Sequence, residues 1–304
     1  EAYASAEFPS REHRLLAAFR IWAAFEYFFA YRRLMEDDWD GVLAESLPRF
    51  EEAANAGEYA LAVAAMLSHT QDSHVGLSGS RAFDQFLGVA RPPVETRLVE
   101  GLPVVTYAAE GTGVSPGDVI ERVDGEAARV RFERLGRYFA ASTPQSLADV
   151  LMLRWLGGPA GSVAVLGVRG ADGSDREVRL ERTETLRRRT RPGDAVRVLP
   201  GNIGYADLER IAPAEVDPMF QKLKDTRAII FDMRGYPQGT AWLIAPRLTD
   251  RSRVVAARFR RPLAYAPPGA SGDVATLGAS WDFVQYIPDS SAEKYRGRTV
   301  MLID

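Results

Sequence analysis

The sequence predicts a multidomain α+β protein in which a helical bundle, a β-rich module and part of an α/β core follow one another. Apolar residues first recur at helical spacing, short alternating runs separated by turn residues come next, and strand and helix patterns then alternate. We place the bundle at residues 1–80, the β-rich module at 84–186 and the first part of the α/β core at 195–304.

The bundle is predicted from three amphipathic helices with short connections. The first helix carries an apolar stripe at intervals of three and four residues, formed by Leu15, Leu16, Phe19, Trp22, Phe25 and Phe29. Asp37 or Asp38 can cap the second helix, and Gly57 separates it from the third. We expect the aromatic stripe to form a core rather than a ligand site.

The β-rich module is predicted from short strands that surround one long helix. Thr143 can cap this helix, with Pro144 at its first position. The predicted strands are Pro103–Tyr107, Val119–Val123 and the two arms of a hairpin, Ser162–Val168 and Glu177–Leu180.

The predicted α/β core contains a parallel pair of strands, since strand, helix and strand follow one another. The strands are residues 202–208 and 228–232, and a tight turn at 233–239 leads from the second strand into a predicted helix at 240–248. We expect residues 249–296 to be irregular and 299–303 to form a further buried strand.

Bulk composition excludes several kinds of protein. The formal net charge of −3 argues against a nucleic-acid partner, and the basic cluster Arg187–Arg189 with Arg191 is predicted to be a solvated linker. The chain has no cysteine, and none of its apolar runs reaches the length of a bilayer span. We find no metal-binding spacing and no phosphate-binding glycine loop, so we expect no cofactor.

The turn at 233–239 is the segment that most directly suggests chemistry. A strand that ends in a sharp turn before a helix can leave main-chain N–H groups without partners. Such groups stabilise anions, including the oxyanion of acyl transfer. The turn therefore indicates chemistry at a carbonyl or phosphoryl centre.

Four segments resemble one peptidase family and occur in its order. Asp232–Gly239 resembles the glycine-rich signature of the C-terminal processing (tail-specific) serine peptidases and their tricorn-like relatives. Gly113–Gly125 resembles a bacterial PDZ domain, Asp72–Val75 resembles the end of the tricorn-branch helical region, and Asn202–Tyr205 resembles the strand that opens the catalytic core. The resemblance implies a PDZ-like module at 84–186 and a ClpP/crotonase-like core.

The chain departs from the family pattern in two ways. Tyr236 and Gln238 replace the usual Asn and Gly of the turn, and Gln at 238 costs conformational freedom if that position needs positive φ. The family's nucleophilic serine follows the strand that matches residues 299–304. We therefore expect the nucleophile to lie beyond Asp304 and the 1–304 chain alone to be inactive.

The resemblance also implies roles for individual residues. His74 would be the general base, Ser73 would help to orient it, and the main-chain N–H groups of Gly239 and possibly Gln238 would bind the oxyanion. The alternative reading is that Gly239 only caps a turn and His74 only ends a helix. Asp232, Arg234 and Gly235 are expected to shape the turn, with the Asp and Arg side chains forming a salt bridge rather than reacting.

The function that follows is a serine endopeptidase that cleaves unfolded or flexible protein tails, with the PDZ-like module recognising or gating a polypeptide substrate. The alternative is a non-catalytic peptide-binding protein with a degenerate core. Lys222 and Lys224 lie on the polar side of their helix and are therefore poor candidates for a buried general base. If the base is a lysine, as in the serine–lysine branch of the family, we expect that lysine in another part of the protein. The family implies a periplasmic or secreted location, with the cytoplasm as the alternative. The sequence predicts no oligomeric state.

Overall fold

The computed structural model describes residues 8–186, 189–262 and 280–303, and it divides into two compact units. The first unit comprises Glu1–Arg189 and the second Thr190–Asp304. Among the described residues, the first unit contains two apolar cores and the second contains one. The structure is a mixed α+β fold with a helical N-terminal region and several sheets, as the sequence predicts.

Three helices open the first unit, as predicted. They are α1 (Arg11–Phe28), α2 (Trp39–Glu52) and α3 (Ala56–Ser68), and a 3-10 turn, Arg32–Leu34, lies between the first two. Asn55 caps α3 by accepting a hydrogen bond from the N–H of Glu58, whose carboxylate in turn accepts from the N–H of Ala54 at 2.9 Å. Asp38 occupies the N-cap position of α2, although its side chain makes no capping hydrogen bond.

The rest of the first unit is built on one antiparallel sheet. Its strands are β2 (Val94–Val99), β3 (Leu102–Ala108), β4 (Val119–Val123), β6 (Val163–Arg169) and β7 (Asp175–Glu181), in the order β2-β3-β4-β6-β7. The short β5 (Glu126–Ala127) pairs with β4, and β1 (Ala90–Arg91) pairs with β8 (Glu184–Thr185). The predicted strands and the predicted hairpin are confirmed.

The expectation of one helix within this β-rich region is wrong, because the region contains three helices. They are α4 (Arg81–Leu87), α5 (Ala128–Gly136) and the predicted α6 (Pro144–Arg154). The Thr143 side chain caps α6 by accepting from the N–H of Ser146 at 3.1 Å. Two helices were missed because α4 has only seven residues and α5 is rich in arginine, so neither shows a long apolar stripe.

Helix α3 belongs to two apolar cores at once. Ala62 and Met66 pack with Trp39 and Phe50 among the first helices. Ala60 and Ala64, on another side of the same helix, lie in the core of the sheet region. The predicted boundary between residues 80 and 84 stays a prediction, since the structure groups both parts in one unit.

A buried hydrogen bond fixes the largest side chain of the sheet core. The indole N–H of Trp155 donates to the Thr96 hydroxyl at 2.9 Å, and the two residues are 0% and 7% exposed. A Thr96→Val variant keeps the side-chain shape but leaves the indole N–H without an acceptor. We expect a loss of about 1–2 kcal/mol in the free energy of unfolding, measured by urea titration. The exposed Thr106→Val is the matched control, and equal urea midpoints for the two variants would contradict this expectation.

The second unit contains a sheet of four strands, which are β9 (Val196–Leu199), β10 (Ile203–Asp207), β11 (Ala228–Asp232) and β14 (Arg298–Leu302). Their order in the sheet is β14-β11-β10-β9. β10, β11 and β14 are parallel, which confirms the predicted parallel pair, and β9 is antiparallel to β10. Helix α7 (Val216–Leu223), which follows a 3-10 turn at Pro213–Glu215, packs Met219, Phe220 and Leu223 into the core with Phe231.

Three expectations for the second unit are corrected. The strand predicted at 299–303 is present as β14, but it is exposed along most of its length rather than buried. The predicted helix at 240–248 is a single α-helical turn, α8 (Ala241–Ile244), followed by a 3-10 turn, Ala245–Arg247. The segment 249–296 is not wholly irregular, because β12 (Val255–Pro262) and β13 (Ser280–Tyr286) form an antiparallel pair. The arginines of β12 hide the alternation typical of a half-buried strand.

Within the described residues, no helix is both long and apolar enough to cross a membrane.

Candidate active site

Two buried carboxylates lie side by side at the carboxyl ends of β10 and β11. The strand register places Asp207 opposite Asp232, and both side chains are fully buried. In an open parallel sheet, ligands bind at the carboxyl ends of the strands. These carboxylates therefore lie at the edge where a site is expected, and their partners determine what they can do.

Asp232 is held as an anion by hydrogen bonds from two residues, Arg234 and Tyr205. The guanidinium of Arg234 donates to it at 2.7 and 3.0 Å, the N–H of Arg234 donates at 3.1 Å, and the hydroxyl of Tyr205 donates at 2.7 Å. The hydrogen bonds from Arg234, aided by Tyr205, hold the pKa of Asp232 far below its ordinary value despite burial. A carboxylate with this pKa and this many donors braces the turn and is unsuited to proton transfer.

Asp207 is held in the same way by two other arginines. Burial alone would raise the pKa of Asp207, but hydrogen bonds from Arg191 and Arg210 outweigh it and hold that pKa below the ordinary value. The Nε atoms of Arg191 and Arg210 each donate to Oδ2 at 2.9 Å.

The prediction of a solvated arginine linker is wrong for Arg191. This guanidinium binds Asp207, contacts Glu209 at 2.9 Å and donates to the carbonyl of Arg234. Arg189, in the first unit, lies over the ring of Tyr107 at 3.3 Å. Sequence reasoning missed Arg191 because its partners follow it by 16 to 43 residues. Residues 187 and 188 lie outside the described residues.

The 233–239 turn is fastened at both ends by main-chain hydrogen bonds. The N–H of Met233 donates to the Leu302 carbonyl at 2.9 Å, and the N–H of Gln238 donates to the Leu208 carbonyl at 3.3 Å. Gly235 and Gly239 adopt positive φ values of 111° and 74°, whereas Gln238 does not. The replacement of the family's glycine at 238 is therefore compatible with this turn.

The two predicted oxyanion donors differ in their availability. The Gln238 N–H is already bonded to Leu208, so in this conformation it is not free to bind an oxyanion, contrary to the expectation. Within the described residues, the Gly239 N–H makes no hydrogen bond, and Gly239 is exposed. The N–H groups of Gly235 and Tyr236 in the same turn are also unbonded there, so Gly239 is one of the donors that the turn offers to a ligand.

His74 lies in the loop between α3 and α4, with its ring exposed. One oxygen of Asp72 accepts from the His74 main-chain N–H at 2.9 Å and contacts the ring Nδ1 at 2.8 Å. The main-chain bond and then the ring bond lower the pKa of Asp72. An Nδ1 held by a carboxylate leaves Nε2 as the proton acceptor, which is the arrangement that a general base requires.

Ser73 points to a second loop of the first unit rather than to His74. Its hydroxyl accepts from the N–H of Ser142 at 3.0 Å and lies 2.8 Å from the Ser146 hydroxyl, and its own N–H donates to the Ser142 hydroxyl at 3.0 Å. These bonds tie the His74 loop to the start of α6. Among the described contacts, no hydrogen bond joins the side chains of Ser73 and His74, and the role of Ser73 in orienting the network stays a prediction.

The other titratable candidates have structural partners. The Nδ1 of His69 contacts Asp37 at 2.7 Å, and that of His13 contacts Ser10 at 2.9 Å. Lys222 donates to a carbonyl of β9, and Lys294 donates to two carbonyls. In the described ranges, no group of three histidines or acidic residues is arranged to hold a metal ion.

His74 lies in the first unit and Gly239 in the second, so their meeting in one site stays a prediction.

No family model matches the chain, and no curated protein matches it. Among solved structures it is similar to mature CPAF, with 15% identity and a TM-score of 0.59, over 83% of this chain and 61% of that chain. A serine-to-alanine mutant of CPAF gives 14% identity and a TM-score of 0.60, over 82% and 61%. The photosystem II D1 C-terminal processing protease gives 19% identity and a TM-score of 0.47, over 97% and 75%.

The chain therefore has the fold of the CPAF structures, and it spans about 61% of their length. The resemblance to tail-specific and tricorn-like peptidases, drawn from four short segments, is confirmed at the level of this fold.

Proposed function

We propose that the protein to which this chain belongs is a serine peptidase that cleaves flexible protein tails. The observation that carries the proposal is the exposed Gly239 N–H, which makes no hydrogen bond within the described part of the chain and lies at positive φ beside an amide that is already bonded. Peptide hydrolysis needs such a donor for the oxyanion that forms at the scissile carbonyl. CPAF, whose fold the chain shares, is a peptidase, and this shared fold supports peptide hydrolysis as the class of chemistry.

The remaining parts follow the family pattern. His74, with Nδ1 on Asp72, takes the proton of a serine nucleophile, which we expect beyond Asp304. In the PDZ-like region, residues 84–186, β2 and β7 are the edge strands of the described sheet, and an extended tail could add to such an edge as a further strand. The proposed location is periplasmic or secreted, which the family resemblance alone implies, and the cytoplasm is the alternative.

A second candidate is a peptide-binding protein without turnover. One observation favours it: the Gln238 N–H, a possible second oxyanion donor, is bonded to Leu208. A single main-chain donor gives weaker transition-state stabilisation than a pair, and the loss of one donor typically costs about 10²–10³ in kcat.

Labelling with a serine-directed fluorophosphonate separates the two candidates. We expect the full-length protein to be labelled on one serine after residue 304, to hydrolyse casein, and to lose turnover once labelled. The 1–304 chain, as the control, should not be labelled. Binding of tail peptides without labelling or turnover would support the second candidate, and equal labelling of the 1–304 chain would show that the nucleophile has been misplaced.

A further inference from the structure

Arg191 is the side chain that joins the buried carboxylates to the 233–239 turn. Its side chain is 23% exposed, and it precedes β9 in the chain. Its Nε and Nη2 atoms donate to Asp207 at 2.9 and 2.5 Å, and Nη2 also lies 2.9 Å from Glu209. Its Nη1 donates to the carbonyl of Arg234, within the turn.

The contact with the Arg234 carbonyl fixes the peptide plane immediately before Gly235. In a planar peptide the carbonyl and the following N–H point in opposite directions, so holding one orients the other. The Arg234 N–H and side chain are bonded to Asp232, so this residue is held from both sides.

Glu209 extends the same control to the middle and end of the turn. Its carboxylate lies 2.6 Å from the position that a Cβ on Gly235 would occupy, so it packs directly over this glycine. Its carbonyl accepts from the Gln238 side-chain amide at 3.1 Å. Arg191 therefore sets the turn directly through Arg234 and indirectly through Glu209.

We propose that Arg191 is a positioning residue that sets the conformation in which the turn presents the Gly239 N–H. This deepens the proposed function and rests on it for its catalytic consequence. A lysine cannot replace it, because one ammonium cannot reach acceptors on three residues of two segments as a planar guanidinium does.

Arg210 provides a matched control. It also donates to Asp207 at 2.9 Å, but its other hydrogen bonds go to the carbonyl of Gly193 rather than to the turn. Arg191→Lys and Arg210→Lys thus alter the same buried carboxylate, and only the first disturbs the turn.

The experiment compares both variants in the full-length protein, by hydrogen exchange with mass spectrometry and by casein kinetics. We expect the Gln238 amide to exchange about tenfold faster in Arg191→Lys than in the parent, while the amides of β10 and β11 in that variant stay within about twofold of the parent. In Arg210→Lys, all of these amides should stay within about twofold of the parent. In the same variant kcat should fall about tenfold or more with KM unchanged, since only transition-state contact is lost.

Each outcome decides the proposal. A folded Arg191→Lys protein with parental exchange at Gln238 overturns it. If that variant does not fold, Glu209→Ala, which keeps the Arg191–Asp207 bonds but removes the carboxylate that contacts Arg191 and packs over Gly235, must accelerate Gln238 exchange, and parental exchange there overturns the proposal. If the parent protein shows no turnover but Gln238 exchange is still accelerated in Arg191→Lys, the positioning role is supported and the proposed peptidase activity is contradicted.

Discussion

The His74→Ala variant of the full-length protein should hydrolyse casein with a kcat/KM about 10²–10⁴ lower than the parent, because a general base contributes that much to acyl transfer. KM should change little, since the imidazole accepts a proton in the transition state and does not bind the substrate tail. Steady-state kinetics measure both values. The loss should appear in kcat.

His69→Ala is the matched control for this variant. Both histidines lie in the first unit, and both place Nδ1 on an aspartate, at 2.7 Å from Asp37 for His69 and at 2.8 Å from Asp72 for His74. We expect His69→Ala to keep its activity within about threefold, as for a surface substitution away from the chemistry. Equal losses in the two variants would remove His74 from the mechanism.

The Asp232→Asn variant should lose about 3 kcal/mol of unfolding free energy, because it removes a buried carboxylate from a fully bonded site. The substitution puts an amide where Arg234 and the Tyr205 hydroxyl now donate to two carboxylate oxygens. Urea titration measures the loss. Asp282→Asn is the control, since the Asp282–Arg260 pair is exposed and should contribute little to stability.

The same variant should change the pH dependence of stability. The folded-state pKa of Asp232 is lowered by the hydrogen bonds from Arg234, so the unfolded chain takes up the proton first as the pH falls. The stabilisation is therefore complete well above the ordinary carboxyl pKa and is lost as the pH falls from about 5 towards the folded-state pKa. The stability difference between parent and variant should shrink over this range, and a constant difference would show that the Asp232 charge is not what stabilises the unit.

The sequence predicted those features that depend on local pattern. The apolar spacing of α1 to α3, the Thr143–Pro144 start of α6 and the buried run of β11 each fix the local structure by themselves. The Asp232–Arg234 salt bridge also follows from local order, because the two residues flank the end of one strand. Positive φ at Gly235 and Gly239 fits residues without a Cβ.

Features that depend on distant partners were not predicted. The role of Arg191 depends on acceptors on other strands and in the turn, and a run of arginines carries no sign of them. The β12–β13 pair was missed because its strands are polar on more than one face. The loss of Gln238 as a donor depends on one carbonyl of the neighbouring strand end, that of Leu208.

The place of α3 has a consequence for any dissection of this protein. A cut before Phe83 that separates the first helices from the sheet would strip Ala60 and Ala64 from the apolar interior around Trp155. The same cut would leave those two methyl groups facing water on the released helices. The first unit, Glu1–Arg189, should therefore be expressed and mutated as a whole. A substitution on one side of α3 should couple energetically to substitutions on the other side.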